Sequence, residues 1–272
     1  MRKMNEVNLA TVRFHPIRVQ EFSVTRGFTE YSHDKLAVVD DETHEVLGIH
    51  GSGYSLLRHV DVLRAVVDVL ETTRVTGSVH FGLNRTFYLY IYPDDSKYTV
   101  EIDDSKIRMG IRVVNSYDGT RAIKSELVAH DVTTGTGMYL RNVVSRSYHR
   151  HTKFSGDMKI FKAELKAMLN FNADEIKNLI EKSRSKMMDR DSVIEALRVP
   201  DKIKKEVIKR IPEGINTAWQ MYRAIASVIS VDEEKYSEPT LEILHKEANK
   251  VLNATVKDIK VTIKDAGDEE DE

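Results

Sequence analysis

Residues 141–153 hold Arg141, Arg146, Arg150 and Lys153 together with Tyr148, His149 and His151, and not one carboxylate. Side chains of these types suit a polyanion. Guanidinium and ammonium groups displace counterions from phosphates, imidazoles add hydrogen bonds, and a phenol ring can stack on a base. The neighbouring sequence points the same way. Between Lys106 and Lys153 nine Lys/Arg (residues 106, 108, 112, 121, 124, 141, 146, 150 and 153) stand against Asp118, Glu126 and Asp131, a net of +6. Period-two alternation along 107–116 puts Arg108 and Arg112 on one face of a strand. The expected phosphate track is therefore Arg108, Arg112, Arg121, Lys124, Arg141, Arg146, Arg150 and Lys153, with His149 and His151 facing phosphate and Tyr148 stacking on a base. The plainer alternative is a solvated surface whose charges are neutralised by helices elsewhere in the chain.

Other chemistry finds less support. His149 and His151, at i and i+2, could share a metal with His130 or Asp131, but Arg146 and Arg150 would repel a divalent cation. Thr133-Thr-Gly135-Thr-Gly137 lacks the lysine and Ser/Thr of a phosphate-binding loop, having Met138 and Tyr139 there. Gly48-Ile-His-Gly51-Ser-Gly53 lacks the βαβ setting of a dinucleotide site. Asp40-Asp41, Asp94-Asp95 and Asp103-Asp104 fall at turns, where aspartate bonds its own backbone. No catalytic residue and no cofactor is expected.

The elements that must position the basic residues follow from periodicity. Residues 35–50 read as a β-hairpin, and His59–Glu71 as a helix with Val60, Leu63, Val66, Val67 and Leu70 on one stripe. Segments 74–92, 98–102, 107–116 and 121–130 alternate and are rich in Val, Ile, Tyr and Phe, with a turn at Asn115–Gly119. From residue 157 the period becomes helical: 157–170, 173–189, 191–197, 201–210, 214–230 and 239–253, broken at Pro200, Pro212 and Pro239. Trp219, Tyr222, Ile225 and Ile229 have core-helix spacing. The expected class is α+β: a twisted antiparallel sheet with a packed helix (1–155, carrying the basic strip), an all-α region (156–256) and a disordered acidic tail (257–272).

Composition bounds the rest. The chain has 272 residues and no cysteine, which excludes disulfides, thiolate zinc sites and cysteine nucleophiles. Six of the last eight residues are acidic; without them 41 basic side chains face 37 acidic ones. Such a tail can occupy the basic strip or recruit a basic partner. There is no apolar leader and no run long enough to span a membrane, so a cytoplasmic protein is expected. The 31% of charged residues also fit the ion-pair surface of a thermophile.

Several motifs occur together in order: Leu36-Ala-Val-Val-Asp-Asp41, Glu45-Val-Leu-Gly48, Tyr54, Gly77-Ser-Val-His-Phe-Gly82, Val113-Val-Asn115-Ser-Tyr-Asp118-Gly119 and Thr217-Ala-Trp219-Gln-Met-Tyr222-Arg-Ala224. Over roughly residues 35–230 they resemble a phage/plasmid-like family of unknown function. Tyr117 stands where that family usually has histidine, and the chain departs from its pattern after residue 130. The resemblance implies kinship with single-strand annealing recombination proteins, which bind single strands as oligomeric rings.

The leading expectation is thus an ATP-independent protein of a mobile element that binds and anneals single-stranded DNA or RNA, assembled as a homo-oligomer because six net charges hold a strand only modestly. The alternatives are an oligomeric scaffold or adaptor, and a metal-dependent nuclease or phosphoesterase using His130, Asp131, His149 and His151.

Overall fold

The computed structural model describes residues 5–26, 29–82, 85–93, 96–102, 105–133, 136–139, 146–149, 151, 158–170, 173–231 and 236–253. Arg141, Arg150, Lys153 and the acidic tail lie outside the described residues. In chain order the elements are β1 (Asn5–Asn8), β2 (Ile17–Arg26), β3 (Thr29–Asp40), β4 (Val46–Gly51), α1 (His59–Leu70), β5 (Arg74–Gly82), β6 (Thr86–Tyr92), β7 (Thr99–Ile102), β8 (Ser105–Ser116), β9 (Ile123–Asp131), β10 (Thr136–Tyr139) and β11 (Arg146–His149). There follow α2 (Met158–Leu169), α3 (Ala173–Ser185), β12 (Met187–Asp189), α4 (Arg190–Ala196), α5 (Asp201–Arg210), β13 (Ile215–Thr217), α6 (Ala218–Val231) and α7 (Glu238–Asn253). Antiparallel sheets precede a mostly helical half, the α+β class expected from the sequence.

The main sheet runs β1-β5-β6-β8-β9-β10, with β7 also on β8 and β11 also on β9. Its pattern starts in β6, whose sequence Thr-Phe-Tyr-Leu-Tyr-Ile-Tyr alternates aliphatic or phenyl side chains with tyrosines. Phe87, Leu89 and Ile91 face one layer, where Val62, Leu63 and Val66 of α1 and Phe161 and Leu165 of α2 cover them. Each such side chain contributes about 2 kcal/mol on leaving water. Tyr88, Tyr90 and Tyr92 face the other way and are buried too, with Val114 and Val128. Farther along the first face, Ile107, Met109, Leu127 and Ala129 share a second cluster with Ile180, Val207, Trp219, Tyr222, Ile225 and Leu244 of the helical half. The sheet and the helices therefore have an apolar layer in common.

A separate sheet, β2-β3-β4, stands beside the main one. The hairpin β3–β4 is the one the sequence predicts. Strand β2, which pairs with β3 from Ile17↔Asp40 to Arg26↔Thr29, escapes sequence reading because its alternation slips at Glu21, from Ile17 and Val19 to Phe22 and Val24, where the pairing register also shifts. Two helix boundaries differ as well. Met187–Asp189 and Ile215–Thr217 pair as a short ribbon, which ends α3 before residue 189 and starts α6 after residue 214. No helix among the described residues is long and apolar enough to cross a membrane.

Candidate functional site at the Asn115 turn

Three stretches distant in sequence meet at one end of the main sheet: β4 with the loop behind it, the Asn115–Arg121 turn between β8 and β9, and His151. A Cβ at Gly48 would fall 2.5 Å from the carbonyl oxygen of Tyr117 and 2.8 Å from Cα of Asp118, so only glycine allows the hairpin this close. Gly119, at φ +73°, makes the turn itself. His50 Nε2 lies 2.6 Å from the Tyr117 carbonyl oxygen, which fixes Nε2 as the protonated nitrogen. The His50 ring stacks on Tyr54 with centroids 3.6 Å apart, and Tyr54 lies 5.1 Å from His151. The chain is pinned there by the Ser55 N–H donating to the His151 carbonyl. Burial raises the Tyr54 phenol and lowers the His151 imidazole from their ordinary values.

Beneath this stack a polar triad is enclosed in aromatic rings. Asn115 spends both amide protons, one on the Leu57 carbonyl at 2.9 Å and one on His59 Nδ1 at 3.0 Å. Because Nδ1 accepts, His59 is the neutral tautomer with its proton on Nε2. Burial, helped by nearby His151, pushes its pKa down to about 3. The His59 backbone N–H donates to the Tyr117 hydroxyl at 2.9 Å, and the two rings stack at 3.7 Å. Burial pushes the Tyr117 phenol up to about 12. Among the described residues neither His59 Nε2 nor Asn115 Oδ1 has a hydrogen-bond partner. An orphan of this kind costs roughly 1–3 kcal/mol.

His59 and Tyr117 also line a cavity of about 160 Å³ whose other walls include Arg13, Phe14, His15, Asp40 and Phe81. At its mouth His15 Nδ1 is 2.8 Å from Asp40 Oδ2, with His15 40% exposed and Asp40 fully buried. Asp40 Oδ1 accepts the backbone N–H groups of Glu42 and Thr43, each at 2.9 Å. Burial alone would raise the Asp40 carboxyl, but these two N–H groups and His15 outweigh it and hold it below the usual carboxylate range. The carboxylate thus orients the imidazole through Nδ1 and leaves Nε2 toward the opening, 3.6 Å from Glu42 Oε2.

The basic residues singled out by sequence are differently placed. Arg112 is 1% exposed, donates to Glu126 at 2.8 Å and to the Tyr90 hydroxyl at 3.0 Å, and packs over the Tyr88 and Tyr90 rings. Lys124 Nζ is 2.8 Å from a carboxylate oxygen of Glu126 and 2.8 Å from one of Glu242. Burial draws the Lys124 ammonium down, and the two carboxylates pull against it. Arg121 Nη1 reaches the same Glu242 at 3.2 Å. These three cations were expected on a phosphate track; instead Arg112 and Lys124 are buried against Glu126 and Glu242, and the half-buried Arg121 is paired with Glu242. Arg108 is half-buried in β8 opposite His130. Arg146, Tyr148 and His149 occupy β11, where Arg146 pairs in register with Glu126, Tyr148 with Lys124 and His149 with Ile123. His151, expected to face phosphate, is buried against Tyr54.

The grouping proposed for a metal is not formed among the described residues. His130 lies against Tyr92 on one face of β9, while Asp131, on the other, is 3.1 Å from Arg223 of α6. No cluster of three metal-ligating side chains occurs there. Sequence reasoning missed Glu242, His15, Asp40, His59 and Asn115 as a working set, because their partners are 25 to 121 residues away. Comparison with known proteins finds no matching family model, no similar curated protein and no similar solved structure.

Proposed function

We propose that the protein binds single-stranded nucleic acid, without ATP and with little sequence preference, along the sheet edge formed by β11 and the basic segment to which it belongs. The supporting observation is the concentration of cations just inside that edge. Arg112, Arg121 and Lys124 gather around Glu126 and Glu242. Strand β11 pairs with β9 beside this cluster and brings Arg146 into register with Glu126. The contact residues in this reading are Arg146, Tyr148, His149, Arg150 and Lys153 with Arg141, while Arg112 and Lys124 support the platform from within. Tyr148 supplies a ring for a base. So short a strip holds a strand weakly, so copies of the chain assemble to gather sites, and the acidic tail competes with the strand for the same charges.

The test is fluorescence-polarisation binding of a labelled single-stranded oligonucleotide, with the matching duplex as control, across a salt series. It uses the full chain and a chain ending at Lys264. Preferential single-strand binding that falls steeply with salt and tightens without the tail is the expected result. No binding by either chain at low salt would end the nucleic-acid reading and leave an oligomeric scaffold in front.

A further inference from the structure

We propose that the cavity between Phe14, His15, His59, Phe81 and Tyr117 is a binding site for a neutral planar heterocycle of nucleobase size. Its volume of about 160 Å³ is close to that of a cavity that admits one benzene ring, roughly 150 Å³. The walls are flat. Phe14 meets Phe81 edge-on at 5.5 Å and Phe87 at 5.3 Å, and His59 and Tyr117 form a stacked pair at 3.7 Å. An aromatic ligand continues such a set of edge-to-face and offset contacts, whereas a flexible chain would not use it.

The polar groups are of two kinds. His59 carries an Nε2–H without an acceptor among the described residues, and its Nδ1 is committed to Asn115. His15, held through Nδ1 by Asp40, turns Nε2 to the opening, 3.6 Å from Glu42 Oε2. A buried donor and a polar ring edge at the mouth match the edge of a nucleobase, where a ring nitrogen or carbonyl lies beside an N–H. An anionic ligand is disfavoured by the buried Asp40 carboxylate, and Arg13 Nη1 already donates to the Ala10 carbonyl. The Tyr117 hydroxyl, accepting from the His59 backbone, keeps its own proton for a ligand acceptor. This site is separate from β11 and does not rest on the edge-strand reading. The base could come from a free nucleoside or from a nucleotide turned out of a strand, and the two sources share this chemistry.

Adenosine and cytidine titrated into the full chain, followed by saturation-transfer NMR, test the proposal, with toluene as a ring of similar size without a polar edge. Both nucleosides should bind, and Phe81→Ala and His15→Ala should each weaken binding by about tenfold. Phe81 is 43% exposed, so Phe81→Ala should keep the parent melting temperature, whereas His15→Ala removes a partner of the buried Asp40 carboxylate and is read at a temperature where the melting curve, measured alongside, shows it folded. No transfer at millimolar nucleoside, unchanged affinity in both variants, or toluene binding as tightly as adenosine would each overturn the site. Displacement of adenosine by a saturating single-stranded oligonucleotide identifies the base as one from a strand; adenosine that stays bound identifies a free ligand. Arg146→Ala should leave nucleoside binding unchanged whatever it does to oligonucleotide binding, so failure of one reading is separable from failure of the other.

Discussion

Gly48 and Tyr117 touch through their backbones: a methyl group on Gly48 would sit 2.5 Å from the Tyr117 carbonyl oxygen. The contact joins the small sheet to the turn of the large one, and it holds the same carbonyl that His50 donates to. Gly48→Ala must push one backbone off the other. It should cost about 2 kcal/mol or more in urea denaturation, whereas Gly53→Ala, with nothing within 4 Å of the added carbon and no left-handed backbone, should stay within about 0.5 kcal/mol of the parent.

Glu242 is shared by Lys124 and Arg121, with Arg112 3.9 Å away. Glu242→Gln removes the carboxylate that Lys124 and Arg121 share and should destabilise the protein by about 3 kcal/mol. Replacing Lys124 by Met in the same chain should recover part of that loss, since the uncompensated charge leaves with it. A double-mutant cycle in urea measures the coupling, and additive losses would show that the network is not a unit.

If nucleic acid is bound along β11, substitutions should separate by position. Arg146→Ala should lower single-strand affinity and reduce the slope of log K against log salt by roughly one unit. Arg112→Met should leave that slope alone and act on stability. Equal slopes for Arg146→Ala and the parent would remove Arg146 from the contact surface.

His59 gives a sign-specific dependence on pH. Its folded pKa of about 3 lies below the ordinary 6.5, so between those values the unfolded chain takes up a proton that the folded chain refuses. The contribution is fully present above pH 6.5 and is lost as pH falls toward 3, by about 2 kcal/mol at pH 5. Burial also lowers His130 and His151, which adds to the slope in the same direction. A ¹⁵N imidazole titration should find the His59 ring neutral, protonated on Nε2, down to about pH 4; a midpoint near 6.5 would refute the buried tautomer.

Legibility from sequence followed the range of the cause. The alternation along 74–92 could be read because it is local, though not the break that folds it into the pair β5 and β6, and the helix from His59 because Leu63 and Val66 recur at its own period. The turn at Asn115–Gly119 announced itself through Asn, Asp and Gly. Its partners did not. Nothing near Asn115 indicates that its amide will fix the tautomer of His59, 56 residues earlier, because a hydrogen bond across two elements has no period. The basic strip shows the same limit in reverse. Alternation placed Arg112 on one face of β8, but whether that face met water or carboxylates depended on Glu126 in the next strand and on Glu242, 118 residues from Lys124. Counting charge along a segment cannot see an acid that arrives from another.

That distance has a consequence for the order in which the chain becomes stable. Strands β8 and β9, which carry Arg112 and Lys124 with Arg121 in the short turn between them, can pair as soon as residue 131 has been made. The carboxylate that reconciles those cations to burial is synthesised more than a hundred residues later. Until α7 emerges, the growing polypeptide holds a nearly complete sheet with an unresolved cluster of positive charge on it.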